Sequence, residues 1–188
     1  MSYNSDIHHR HSVRLKDYDY SLEGLYFITV CAQDKKCLFG KITDGVMCLN
    51  EAGRMVEEWY FKLQEKYPNI ACMEHIIMPN HFHCIIHIVG AGSARPITST
   101  ETPTEINNDE IPHADDRAGK PRPYKPTVGQ IIGFFKYQTT KEVNLPTRLW
   151  QRNYYEHIIR NQHSYEEISD YIVTNPLRWE KDQLFAEQ

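Results

Sequence analysis

The sequence predicts an α+β protein built on an antiparallel sheet. Short runs rich in β-branched and aromatic residues alternate with segments in which apolar residues recur at helical spacing. The predicted order is strand, hairpin, helix, two strands, helix, strand, helix. Without the hairpin and the last helix, this order is βαββαβ, which is the ferredoxin-like arrangement. The length of 188 residues, 40% of them hydrophobic, predicts a single domain over residues 1–188.

Local signals mark the first strand, the hairpin and the first helix. The run Leu25–Ala32, LYFITVCA, has the composition of a buried strand. Asp44 and Gly45 separate two short apolar runs, which is a hairpin signal. Asn50 precedes a helix that ends before Pro68. The predicted core stripe of this helix is made of Ala52, Met55, Val56, Trp59 and Leu63.

Two further strands are predicted at Ile70–Met78 and His81–Val89, joined by a turn at Pro79 and Asn80. In the ferredoxin-like order the second of them is a central strand. Side chains alternate between the two faces of a strand. One face is therefore predicted to lie under the crossover helices and carries Phe82, Cys84, Ile86 and Ile88. The opposite face carries His81, His83, Ile85 and His87.

The stretch from about residue 90 to 126 has a different composition. It contains six prolines, many threonines and serines, and almost no large apolar residues. Such a composition cannot bury enough apolar surface to form a core. We therefore expect a Pro/Thr-rich loop insertion at about 90–126 within the single domain.

The last third of the chain predicts helix, strand and helix. Thr127 is a candidate N-cap for the second helix, and the run RLWQRNYYEHIIR predicts a strand with an irregular start. Ser164, with Glu167 three residues later, has the pattern of a capping box that opens the last helix. Pro176 disfavours helical geometry at Asn175, so the helix is expected to end or kink there.

Composition limits the compartment and the class of protein. No apolar run approaches the roughly 18 residues that a membrane span requires, and the first twenty residues do not resemble a secretory signal. The five cysteines are odd in number and form no CxxC pair. We therefore expect reduced core cysteines in a cytoplasmic protein, without a membrane partner.

Charge is distributed unevenly along the chain. The net charge is −4, which by itself argues against nucleic acid as a partner. Residues 117–160, however, hold nine basic and two acidic side chains, a local balance of +7. Aromatic side chains are interleaved with these basic groups. This combination suits phosphate contacts and base stacking, although a solvated basic surface over core aromatics explains the composition about equally well.

His81 and His83 lie side by side on one face of a predicted interior strand, and a buried imidazole requires a hydrogen-bond partner, a metal or a chemical role. One metal ion could join the two rings. The spacing alone is compatible with a zinc site, with a metal site for phosphate chemistry, or with two hydrogen-bonded histidines. A metal site requires at least a third ligand.

The last helix offers such a ligand together with a nucleophile. Its predicted core stripe is made of Tyr165, Ile168 and Ile172, and Tyr171 and Asn175 lie on one flank. If the stripe packs on the histidine face, Tyr171 reaches a phosphate held at the metal, and Asn175 can ligate the ion. Tyrosines that fill cores and asparagines that end helices are common, and these alternatives stay open at this point.

Four stretches together resemble the single-tyrosine HUH transposases: MPNHFHCIIHI, YFITVCA followed by LFGKI, LWQRNYYEHIIRN, and YEEISDYIVTNP. The sequence is most similar to the transposase-like proteins associated with repetitive extragenic palindromes. His81 and His83 match the metal-binding HUH motif, Tyr171 matches the nucleophile, and Asn175 matches the third polar position, where insertion-sequence transposases typically have glutamine.

This resemblance implies a function. The protein would be a metal-dependent single-strand DNA endonuclease and strand transferase that acts beside DNA hairpins through a 5′-phosphotyrosine intermediate, as in DNA transposition. Mg²⁺ or Mn²⁺ would be the cofactor, single-stranded or hairpin DNA the partner, and a monomer or homodimer the assembly. The expected DNA contacts are Lys136, Lys141, Arg148, Arg152, Tyr154 and Arg160. The alternatives are a non-catalytic hairpin-DNA or RNA-binding protein on the same fold and an HUH replication or conjugation nickase.

Overall fold

A computed structural model describes residues 18–90 and 125–186. The strands are β1 (Gly24–Cys31), β2 (Gly40–Thr43), β3 (Val46–Leu49), β4 (Ile70–Met78), β5 (His81–Ile88) and β6 (Tyr155–Ile159). The helices are α1 (Glu51–Lys66), α2 (Val128–Val143) and α3 (Gln162–Thr174), and a 3-10 helix, Asn175–Lys181, continues directly from α3. The predicted element order is confirmed. In the described part of the chain, no helix is long and apolar enough to span a membrane.

The main sheet has four antiparallel strands in the order β4-β5-β1-β6. This is the order that the ferredoxin-like arrangement predicts, with β1 and β5 in the centre. The separate hairpin β2-β3 turns at Asp44 and Gly45, both with left-handed backbone (φ 51° and 73°), as a two-residue hairpin turn requires. The predicted α+β class is therefore confirmed, including the added C-terminal helix.

One face of the sheet forms the main hydrophobic core under α1 and α2. Phe82, Cys84 and Ile86 of β5 are fully buried there, as the alternation predicted. Both covering helices begin at the predicted caps, since the side chain of Asn50 accepts from the Gly53 amide and Thr127 forms a capping box with Gln130. This face supplies most of the buried apolar area and hence most of the hydrophobic stabilisation.

The opposite face carries α3 over a smaller core. Phe27, Ile85, Ile159 and Ile172 are its buried members, and Tyr165 and Ile168 pack against them. The predicted stripe of α3 therefore does lie on the sheet face that bears the histidines. The consequence is that the flank of α3 is held above β5.

Three local predictions were only partly right. The fully buried stripe of α1 is Gly53, Val56, Tyr60 and Leu63, while Ala52, Met55 and Trp59 are only half-buried. Helix α1 is rotated about its axis relative to the predicted orientation, so that Gly53 faces the core. Gly53 lies so close to the Phe39 carbonyl that a Cβ would collide with it.

Helix α3 begins at Gln162 and not at Ser164. Its N-cap is Asn161, whose side chain accepts from the Ser164 amide, so Glu167 takes no part in a capping box. Helix α3 ends at Thr174, as predicted, but Asn175 keeps helical backbone geometry (φ −55°, ψ −43°) despite Pro176. The chain tightens there into the 3-10 helix, in which a proline at the start is tolerated. Most of the predicted insertion at 90–126 lies outside the described residues.

Candidate active site

Two buried histidines form the floor of the candidate site. His81 and His83 lie on β5 opposite Cys31 and Thr29 of β1, and both are almost fully buried. Burial, and then the Lys35 ammonium, lowers the pKa of His81 to about 3. Burial, and then His81, lowers the pKa of His83 well below its usual range. Both imidazoles are therefore neutral, which is the form that binds a metal ion.

Each imidazole is held through its Nδ1 atom. His81 Nδ1 lies 2.8 Å from Asn80 Oδ1, and His83 Nδ1 lies 2.7 Å from Thr29 Oγ1. The ring centroids of the two histidines are 4.5 Å apart. His81 Nε2 is buried and has no hydrogen-bond partner among the described residues. The two Nε2 atoms are thus left for the site itself.

Tyr171 reaches this floor from α3. Its hydroxyl lies 3.2 Å from His83 Nε2, and its ring packs edge-on against Phe27. Burial, and then the Asp182 carboxylate, raises the pKa of Tyr171. The phenol is therefore protonated at neutral pH. The geometry brings together His81, His83 and Tyr171, as the sequence predicted.

Asn175 and Asp182 complete the cluster. Asn175 is buried, its Nδ2 donates to Asp182 Oδ2 at 3.1 Å, and its Oδ1 has no partner in the described structure. The Tyr171 hydroxyl also donates to Asp182 Oδ2, at 3.4 Å. Potential ligand atoms of His81, His83 and Asp182 all lie within 4.8 Å of one another. The site is thus a group of nitrogen and oxygen donors from β5, the 3-10 helix and the C-terminal segment.

Asp182 was not predicted from the sequence as a member of the site. No motif marks it, because it is one acidic residue in a polar stretch that follows the last predicted helix. The neighbouring Trp179 and Phe185 were an available signal, since two large aromatic side chains in such a stretch favour packing back onto the domain. In the structure Trp179 is buried and its ring lies 6.0 Å from the His81 ring, which returns the chain to the site.

The donor set fits a divalent ion. Two neutral imidazoles, a carboxylate and an amide oxygen are ligands that such ions take in proteins. Two of these atoms, His81 Nε2 and Asn175 Oδ1, are buried polar atoms for which the described chain offers no hydrogen bond. A buried polar atom without a hydrogen-bond partner lowers stability. Two such atoms in this cluster therefore support the binding of a metal ion there.

The predicted DNA contacts fall into two groups. Lys141, Arg148, Arg152 and Arg160 have exposed side chains, whereas Tyr154 is half-buried against the main core. Lys136 is half-buried, and its ammonium donates to the carbonyls of Gln151 and Arg152. Burial lowers the pKa of Lys136. Lys136 therefore ties α2 to the chain before β6, a structural contact that its charge alone did not reveal.

Comparison with known proteins places the chain in a family. No family model matches it. An uncharacterized protein of Haemophilus influenzae is 38% identical over an alignment of 188 positions that covers 98% of each chain. This chain belongs to the same family as that Haemophilus protein.

A solved structure shares the fold. It is a REP-associated tyrosine transposase bound to a REP hairpin, and it matches with a TM-score of 0.55 over 88% of this chain and 73% of its own. At 20% sequence identity, this match shows the fold alone: this chain has the same fold as that transposase. It agrees with the predicted α+β architecture.

Proposed function

We propose that this protein is a metal-dependent single-strand DNA endonuclease and strand transferase that uses Tyr171 as its nucleophile, acts beside DNA hairpins, and serves DNA transposition. The observation that carries the proposal is the 3.2 Å contact between the Tyr171 hydroxyl and His83 Nε2 in a cluster of metal-compatible donors. The shared fold with a tyrosine transposase supports it.

In the covalent step, the main task of the protein is to hold the tyrosine hydroxyl and the phosphate in position to react. Tyr171 Oη forms a bond to the phosphorus, and the bond between the phosphorus and the 3′ oxygen breaks. The phenol proton leaves Oη, for which the Asp182 carboxylate at 3.4 Å is an acceptor, and the 3′ oxygen takes up a proton to become a free hydroxyl. Attack by a 3′ hydroxyl on the phosphotyrosine reverses the step and joins strands without a nucleotide cofactor.

His81, His83 and Asp182 would hold Mg²⁺ or Mn²⁺, with Asn175 Oδ1 as a fourth donor. When bound, a divalent ion withdraws charge from the phosphate and stabilises the leaving oxygen. Asp182 can ligate the ion and still accept a hydrogen bond, because a carboxylate has about four lone-pair sites. The hydrogen bonds between His81 Nδ1 and Asn80 Oδ1 and between His83 Nδ1 and Thr29 Oγ1 hold the imidazole planes in place.

DNA would be bound by the exposed basic side chains in the last turn of α2 and in the segment that follows it. Lys141, Arg148, Arg152 and Arg160 provide positive charge on a chain of net charge −4. Tyr154 and the exposed Tyr155 are aromatic surfaces on which bases can stack. Single-stranded or hairpin DNA is the partner that this combination suits best.

The test is an adduct assay with labelled hairpin oligonucleotides and Mn²⁺. The wild-type protein should form a complex that survives denaturing gels, and Tyr171→Phe should form none, because only the nucleophilic hydroxyl is lost. Tyr165→Phe is the matched control, since Tyr165 lies on the same helix and its hydroxyl donates to Glu74 at 2.7 Å, outside the cluster.

The same assay separates the alternatives. Adduct formation by Tyr171→Phe would move the nucleophile to another residue. Hairpin binding without an adduct under any metal condition would favour a non-catalytic hairpin-DNA or RNA-binding protein. Cleavage that is indifferent to the hairpin would favour a replication or conjugation nickase.

A further inference from the structure

Asn80 is a buried side chain whose amide is engaged in three directions. It is 1% exposed and lies in the turn between β4 and β5. Its Oδ1 lies 2.8 Å from His81 Nδ1. Its Nδ2 donates to the carbonyl of Lys35 at 3.2 Å and to the carbonyl of Leu184 at 2.7 Å.

These contacts determine which way the amide faces. Carbonyl oxygens only accept hydrogen bonds, so the NH₂ group must point toward Lys35 and Leu184. The oxygen of Asn80 is then the atom that faces His81, and an amide oxygen also only accepts. His81 Nδ1 must therefore carry the hydrogen. In a neutral imidazole the other nitrogen, Nε2, is left with its lone pair directed into the site.

The same amide also holds the C-terminal segment. Leu184 lies two residues after Asp182, and its own amide donates to Asp182 Oδ1 at 2.6 Å. The carbonyl of Leu184 is bound by Asn80 and its N–H by Asp182. One side chain thus joins the strand that bears the histidines to the segment that bears the carboxylate.

We infer that Asn80 is a positioning residue: its oxygen sets the tautomer of His81 so that Nε2 can ligate a metal ion, and its NH₂ group docks the segment that carries Asp182. The inference rests on the proposed function only for the identity of the ion. His83 lacks an equivalent constraint, because the Thr29 hydroxyl at its Nδ1 and the Tyr171 hydroxyl at its Nε2 can each either donate or accept.

The tautomer is measured directly by long-range ¹H–¹⁵N NMR on the metal-free protein at neutral pH. The His81 signals are assigned by their absence from His81→Ala. In the wild type we expect His81 as the Nδ1–H form. Finding the Nε2–H form there would overturn the inference, whatever any variant shows.

Two substitutions separate the two roles of the side chain. Asn80→Asp keeps an acceptor for His81 but loses the donors, so His81 should remain in the Nδ1–H form while the Leu184 amide loses protection in hydrogen exchange. Asn80→Ala loses both, so His81 should become a mixture of tautomers. Asn153→Ala, at an exposed asparagine, is the control and should change neither signal.

Binding of Mn²⁺ alone, measured by calorimetry, gives the consequence for the site. Loss of a partner behind a ligating histidine typically weakens metal binding about 10- to 100-fold, and we expect Asn80→Ala to fall in this range. Asn80→Asp should retain more affinity than Asn80→Ala. Equal Mn²⁺ affinity in the wild type and a folded Asn80→Ala would overturn the positioning role.

These readouts are independent of DNA chemistry. If the wild type forms no DNA adduct but shows the expected tautomer and Mn²⁺ binding, the proposed nuclease activity fails and the role of Asn80 stands. If adducts form and the His81 tautomer does not respond to Asn80→Ala, the activity stands and the role of Asn80 fails.

Discussion

The two faces of the main sheet differ in what they contain, although the same strands build both. On β5, Phe82 points into the apolar core under α1 and α2, while its neighbours His81 and His83 point to the face under α3. The apolar face is lined by fully buried side chains such as Phe82, Cys84 and Ile86. The other face holds buried polar atoms such as His81 Nε2 that find no partner in the described chain. One face thus stabilises the fold, and the other accepts a cost in stability to keep ligand atoms available.

The largest difference between the faces should appear on substitution of a histidine. We expect His81→Ala or His83→Ala to abolish adduct formation and Mn²⁺ binding, because each removes a proposed ligand. The unfolding free energy should change little although activity is lost, since His81 already has a buried nitrogen without a hydrogen-bond partner in the described chain. Adduct assays, calorimetry and urea unfolding measure the three quantities. Normal cleavage in excess chelator would contradict the metal role.

The matched substitution on the apolar face is Phe82→Ala. Phe82 is fully buried against Tyr60 and Phe135, so its truncation should cost about 3–5 kcal/mol of unfolding free energy. Urea unfolding measures this cost. Any protein that remains folded should keep its Mn²⁺ affinity within a few-fold. A stability cost below that of His81→Ala would reverse the comparison between the faces.

The exposed lysine and arginine side chains proposed to bind DNA test whether DNA affinity arises away from both faces of the main sheet. A handful of phosphate contacts gives a slope on the order of −3 to −4 in log affinity against log salt. Arg148→Ala with Arg152→Ala should make this slope shallower by about 1.4 to 1.8, without changing stability appreciably. Hairpin affinity across a salt series measures it. Lys136→Ala should instead lower stability, because its ammonium binds two backbone carbonyls.

The smallest effects are expected at the helix caps, where one helix lies over each face of the sheet. Thr127→Ala and Asn161→Ala each remove one capping hydrogen bond and should each cost about 1 kcal/mol of stability. Only Asn161 caps the helix that carries Tyr171. Adduct formation rates should therefore fall more for Asn161→Ala than for Thr127→Ala. Equal rates in the two variants would show that the first turn of α3 does not position the nucleophile.

Much of the fold was predictable because its signals are local. Alternation along β5 separated Phe82 from His81 and His83, and the Asp44-Gly45 pair marked the hairpin. The boundary of α3 was less predictable, because Asn161 and Ser164 are both good caps and their competition is decided by the strand that ends just before. The stripe of α1 also shifted, since Gly53 could approach the Phe39 backbone in a way that periodicity does not express.

Local sequence patterns predict the strands, the helices, the alternation that places two histidines on one face, and Tyr171 and Asn175 as their candidate neighbours. Three features emerge only in the folded domain: Asp182 returns to the site, Asn80 binds both His81 and Leu184, and Lys136 is held by backbone carbonyls. The two groups of features differ in the range of the interactions that produce them. Periodicity and capping act over a few residues, whereas Asn80 and Leu184 are 104 positions apart and meet only when the whole domain has packed.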